Sequence, residues 1–139
     1  MAAKGLAESR LVGATDVEAA CRVVVEELAA EGELLPSVYL ARAGRLRCRA
    51  LRGYWQARDG LPPSAGLIGR AYRTGRDVVV HDVGREPDYL EASPGVVGEA
   101  AIPLRCGAEV VGVLNVESRA PLSDATLGRV RGWAATLGT

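Results

Sequence analysis

His81 is the only histidine of the sequence and stands beside Asp82. Such a residue could titrate near neutral pH or touch a ligand. Its plainer role is a strand-end residue hydrogen-bonded to the loop that follows. Haem would need an axial ligand and a roomy apolar cavity; one histidine meets only the first condition, and no cofactor is predicted. Of the six aromatic residues none is Phe. Trp55 and Tyr89 fall in loops, where a ring offers a concave site both contact area and a polar handle. Tyr72 falls on a helix and reads as packing. Glu99 opens a strand, and is either an acceptor for a ligand amine or an exposed strand-start carboxylate. Gly66 and Gly69 lie near a helix start, where backbone donors can meet an anion; close packing of helix on sheet is the alternative. Arg45, Arg47 and Arg49 alternate along a strand and read as a solvated face. A nucleic-acid footprint would add more basic surface and interleaved aromatics.

Cys21, Cys48 and Cys106 cannot all pair, and their spacing fits no disulfide framework or zinc site. A reducing compartment follows. Cys21 and Cys48 fall on apolar faces as small core residues, while Cys106 falls in a turn. No phosphate-binding loop, nucleophile elbow or metal-ligand cluster is present, so neither catalysis nor a metal is expected. Positive and negative residues balance, 17 against 17, which gives no field to draw the chain to nucleic acid or membrane. Met1 to Arg10 lack the apolar core of a signal peptide, and no apolar run approaches the ~20 residues of a bilayer span. A cytoplasmic protein is expected.

At 139 residues the chain has the size of one domain and can bury a sufficient core. Residues 1–14 are weakly patterned; the domain is placed at 15–139. Thr15 and Glu18 form a capping box, after which Val17, Cys21, Val24 and Leu28 fall on one helical face, and Gly32 ends the helix. Residues 36–43 and 45–50 read as paired strands, the second with Leu46, Cys48 and Ala50 on one side. A short helix follows Pro63-Ser64, carries Leu67, Ile68, Ala71 and Tyr72, and stops at Thr74-Gly75. Residues 77–82 form a short strand, and 83–97 a loop long enough to suspect function. Strands at 99–104 and 109–118 make a hairpin around Cys106-Gly107. The second is apolar on both sides, the mark of a central strand covered on both faces. Pro121-Leu122-Ser123 begins a last helix with Leu127, Val130, Ala134 and Leu137 along one edge. The architecture is α+β.

The stretches GLIGRAYRTGRDVVVHDVGREPDYL and EAAIPLRCGAEVVGVLNVES, at 66–90 and 99–118, resemble a GAF domain, as does the order of elements from Thr15 to Leu137. The resemblance implies a GAF/PAS-like five- or six-stranded, mostly antiparallel sheet. It places the terminal helices on one face, often in a dimer bundle. The short helix and long loop roof a small-ligand pocket on the other. On that basis the pocket lining is predicted as Trp55, Leu67, Ile68, His81, Tyr89, Val97, Glu99 and Ala101. Asp82 and Asn115 match positions that hold loop and sheet ends through backbone bonds.

Cyclic-nucleotide-binding members carry an Asn, Lys, Phe, Asp, Glu signature that cannot form here, with no Phe, one Lys and one Asn. Pigment-binding members attach a tetrapyrrole through a Cys commonly followed by His, which none of the three cysteines is. Free methionine sulfoxide reductases need a reactive thiolate and a resolving Cys in the region matching 83–100, which contains no cysteine. The expected function is a small-molecule-sensing regulatory domain of a bacterial-type signalling protein. A homodimer through the Val17, Val24, Leu28 and Leu127, Val130, Leu137 helix edges would relay occupancy to an output domain outside this chain. A ligand-free dimerisation spacer is the alternative, and a reductase-like enzyme the third reading.

Overall fold

The computed structural model describes residues 16–54 and 58–138; Thr15 and Trp55 lie outside them. Helix α1 (Val17–Ala29) is followed by strands β1 (Leu34–Arg42) and β2 (Arg45–Leu51). Helix α2 (Gly66–Thr74), β3 (Val78–Val80) and a 3-10 turn (Val83–Arg85) come next. Strands β4 (Gly98–Cys106) and β5 (Glu109–Ser118) then lead to helix α3 (Asp124–Leu137). The five strands form one sheet in the order β2-β1-β5-β4-β3, with every neighbouring pair antiparallel. The expected central strand is therefore β5.

Local chemistry sets the ends of these elements. Asp16 caps α1, its carboxylate accepting from the Ala19 amide at 2.7 Å, so the cap lies one residue after the expected Thr15. Ser123 caps α3 in the same way, accepting from the Thr126 amide at 3.1 Å. Gly75 ends α2 in the left-handed conformation at φ 64°, which costs an L-residue strain that glycine avoids.

The sheet has two unlike neighbours. On one face α1 and α3 bury Cys21, Val24, Leu28, Val130 and Trp133 against Val38, Ala100, Leu114 and Val116. On the other, α2 contributes Leu67 and Ala71 to a smaller core with Val78, Ala101 and Val113. Alternate residues of β5 thus serve opposite layers.

Two expectations need correction. A register shift between Val38 and Tyr39 breaks the alternation of β2: Ala50 pairs with Val38, but Cys48 pairs with Tyr39. Cross-strand partners share a face, so Cys48 faces the α2 side with Tyr39, while Ala50 belongs to the helical core. The extra residue of a bulge changes the face of everything beyond it. Secondly, Val24, Leu28, Leu127 and Val130 are all buried within the chain's own core. Helices lying on a sheet must spend their apolar stripe on it, so these side chains offer no surface to a partner. Of the six residues expected at a dimer contact only Val17 is well exposed, at 56%, and Leu137 is half-buried.

Candidate ligand site

A hollow lies between the α2-side face of the sheet and its roof. Leu67 and Ile68 of α2, Leu90 of the long loop, and Leu51 and Leu61 form its apolar walls. Ser37, Asn115, Glu99 and Glu117 rise from β1, β5 and β4 as a polar floor, with Tyr39 and Tyr54 beside them. Space free of atoms amounts to about 470 Å³ including the open mouth, whereas room for the centres of water-sized molecules is about 30 Å³. That is enough for about two waters.

The floor is chemically unusual. Glu99 and Glu117 are direct partners across β4 and β5, and their residues are only 5% and 3% exposed. A shift in register between Leu104 and Arg105 brings them opposite one another: Cys106 pairs with Glu109, but Leu104 pairs with Gly112. Glu117 accepts from the Tyr54 hydroxyl at 2.6 Å and from the Tyr89 hydroxyl at 2.8 Å. Burial, and next the charge of Glu117, pushes the Glu99 carboxyl up to about 8, against a weaker opposing hydrogen bond from Asn115. Burial also raises Glu117, partly offset by the two tyrosines and by Arg58 and Arg119. Two carboxyl groups facing one another in a buried site oppose each other's ionisation. Asn115 is 2% exposed, and its Oδ1 is buried without a hydrogen-bond partner among the described residues.

The roof is tied down at several points. Arg70 of α2 donates to Glu86 at 2.6 Å and Asp88 at 2.7 Å, and Arg58 donates to the Glu91 carbonyl. The Val83 amide donates to the Val97 carbonyl at 3.0 Å, closing the loop upon itself. Gly66, at φ 66°, lies where an added Cβ would come within 2.9 Å of Leu90 Cδ1, so its missing side chain lets the loop close onto α2.

A model of the GAF domain matches residues 16–139. The chain belongs to the GAF domain family. Solved structures share the fold of this GAF domain. The free methionine-R-sulfoxide reductase of Neisseria meningitidis, in complex with its substrate, is 27% identical with a TM-score of 0.81, covering 94% of this chain and 83% of that one. The GAF domain of the Acinetobacter phosphoenolpyruvate-protein phosphotransferase is 20% identical with a TM-score of 0.83, covering 94% and 85%. A methyl-accepting chemotaxis protein, residues 122 to 287, is 22% identical with a TM-score of 0.81, covering 95% and 92%. Among curated proteins no sequence matches.

The GAF domain gathers some of the predicted lining and disperses the rest. Leu67, Ile68 and Glu99 line the hollow. Tyr89 reaches its floor through Glu117. Ala101 is buried in the small core under α2. His81 follows β3 and is exposed, because that strand ends at Val80. Val97, at the root of the roof loop, is 39% exposed. Trp55 lies outside the described residues. Asp82 accepts from the Gly84 amide at 3.0 Å, the backbone role expected of it. Gly69 lies where a Cβ would be 2.6 Å from the Pro63 carbonyl oxygen, so its close approach is to the preceding turn and not to the sheet as expected. Sequence reasoning missed Glu117, Tyr54 and Arg58, and assigned Asn115 a structural role only. The available signal was a polar residue at every second position, Asn115 and Glu117, in a strand otherwise read as apolar on both sides.

Proposed function

We propose that this GAF domain is a regulatory module that senses a small molecule in the hollow beneath α2 and the 83–97 loop. The observation that carries the reading is the buried floor of Glu99, Glu117 and Asn115. A plain core would fill these positions with apolar side chains, because buried polar groups without partners are costly. Asn115 lines the hollow, and its buried Oδ1, without a hydrogen-bond partner among the described residues, suits a polar ligand group. The GAF domain of a phosphotransferase and part of a methyl-accepting chemotaxis protein share this fold.

Relay to an output domain would pass through α1 and α3, which share the sheet with the hollow. A dimer in this reading uses the outer faces of those helices, with Val17 among them, and the buried stripe stays in the monomer core. The reading is non-enzymatic. The thiol nearest the hollow is Cys48 beside Tyr39, and burial, followed by the charge of Asp59, raises its pKa. A raised thiol is a poor nucleophile.

Thermal scanning of the purified domain against a chemically diverse small-molecule set tests this. A ligand should raise the melting temperature and slow amide exchange in 83–97, since anything that binds only the folded state stabilises it. No stabilising compound, with 83–97 exchange unchanged throughout, would favour the spacer, a reading that the small enclosed volume supports. Thiol-dependent loss of free methionine sulfoxide would point instead to the chemistry of the Neisseria structure. Sedimentation at high concentration checks the dimer.

A further inference from the structure

Resting on that reading, we propose that the ligand is a small primary amine with an aliphatic body. Its ammonium group lies between Glu99 and Glu117 and donates to Asn115 Oδ1, while its carbon chain runs between Leu67, Ile68 and Leu90 toward the mouth.

Three groups of the floor, Glu99, Glu117 and Asn115 Oδ1, suit the same partner. The facing carboxylates accept and cannot donate once ionised. Asn115 Oδ1 is buried and has no hydrogen-bond partner among the described residues. With both carboxylates ionised, all three groups accept, and the three hydrogens of an ammonium match them. Its charge would also offset the two carboxylates. An NH₃⁺ head is about the size of a water and suits room for about two of them, whereas a trimethylated nitrogen is bulkier. The walls are aliphatic, so the body of the ligand is apolar.

Proton exchange accompanies binding. Among the charged and titratable groups facing the pair, Glu117 opposes ionisation of Glu99. Tyr54 and Tyr89 donate to Glu117, and Arg58 and Arg119 act on it from a greater distance. From α2, Gly66, Leu67 and Ile68 line the hollow, none of them charged; β1 adds Ser37 and Tyr39. Arg58 lines the hollow, yet among the described residues no cation pairs with Glu99, and without a ligand the pair favours holding a proton. An entering ammonium replaces that proton, and affinity rises with pH until Glu99 is ionised without help.

The test uses n-butylammonium chloride, with n-butanol as the neutral isostere and butyltrimethylammonium as the oversized cation, titrated into the whole chain by two-dimensional amide NMR. Butylammonium should saturate shifts at Asn115, Glu117 and the 86–92 segment. Its affinity should exceed that of butanol by about tenfold or more, and rise by up to about tenfold between pH 6.5 and 7.5. Glu99→Gln should abolish that pH dependence, and Glu117→Gln serves the same end if the first variant does not fold. Butanol binding as well as butylammonium would overturn the amine assignment and leave sensing intact, as would preferential binding of calcium or sodium at these residues. Silence from butylammonium up to about 50 mM, alongside saturation by a neutral compound, likewise overturns the amine alone. If no compound of any class binds the hollow, the sensing reading falls with it.

Discussion

Glu99 and Glu117 stand opposite each other in adjacent strands with both carboxyl groups beneath the roof, a like-charge pair that the fold holds out of water. Such a pair weakens the folded state whenever both members ionise. Its persistence at the floor of a hollow is what gives the site its character, and its effects are measurable.

Stability of the ligand-free domain should fall as pH rises through the range set by Glu99. The folded-state value, about 8, exceeds the ordinary 4.5, so the folded form binds more protons than the unfolded form between those limits. The contribution is fully present below about 4.5 and is lost as pH climbs through 8. Glu99→Gln removes the titration, and its melting temperature at pH 8.5 should exceed that of the parent by about 5 °C or more. Paired thermal scans at pH 5 and 8.5 check this; an equal offset at both pH values would refute it.

Tyr89→Phe deletes the hydroxyl that fastens the roof to Glu117. A hydrogen bond to a carboxylate contributes about 1.5–3 kcal/mol when charged, and less when neutral. Exchange of amides in 86–92 should quicken at least severalfold, with amides of α1 and α3 unchanged. Hydrogen-exchange mass spectrometry separates this local effect from global loosening.

Leu114→Ala opens a cavity in the fully buried centre of β5 and should cost about 2–5 kcal/mol. Gly112→Ala should also destabilise strongly, since its Cβ would lie 2.2 Å from the Tyr39 carbonyl oxygen and the β1–β5 ladder must part to admit it. Urea unfolding measures both, with midpoints well below that of the parent.

Thiol labelling at pH 8 should find one fast site per folded chain. Cys106 is exposed in the hairpin, whereas burial pushes the Cys21 thiol up to about 11 and raises Cys48 as well. Rapid modification of Cys48 would contradict the described packing beside Tyr39.

Much of the fold is legible from periodicity. The doubly apolar EVVGVLNVES segment foretells a central strand, and the Ser123 cap and the Gly107 turn foretell their elements. The site is less legible because it depends on register. Counting outward from the hairpin pair Cys106 and Glu109 without interruption would set Glu99 opposite Val116, and only the shift at Leu104 and Arg105 makes Glu117 its partner. The shift at Val38 and Tyr39 likewise turns Cys48 toward the hollow. A single inserted residue leaves the hydrophobic pattern of either strand almost unchanged, yet exchanges its faces. The expected dimer edge fails for a related reason. An apolar helical stripe records that something covers it, and does not record whether the cover is a partner or the chain's own sheet.

Because Asn115 and Glu117 look into the hollow while Leu114 and Val116, their immediate neighbours, anchor the helical side, the two compartments are separated by no more than one backbone. A small sideways displacement of this ribbon, of the kind a ligand tugging on Glu117 would impose, would bear directly on the residues beneath α1 and α3. The proposed relay would then require no chain of intermediaries, only stiffness in a single strand.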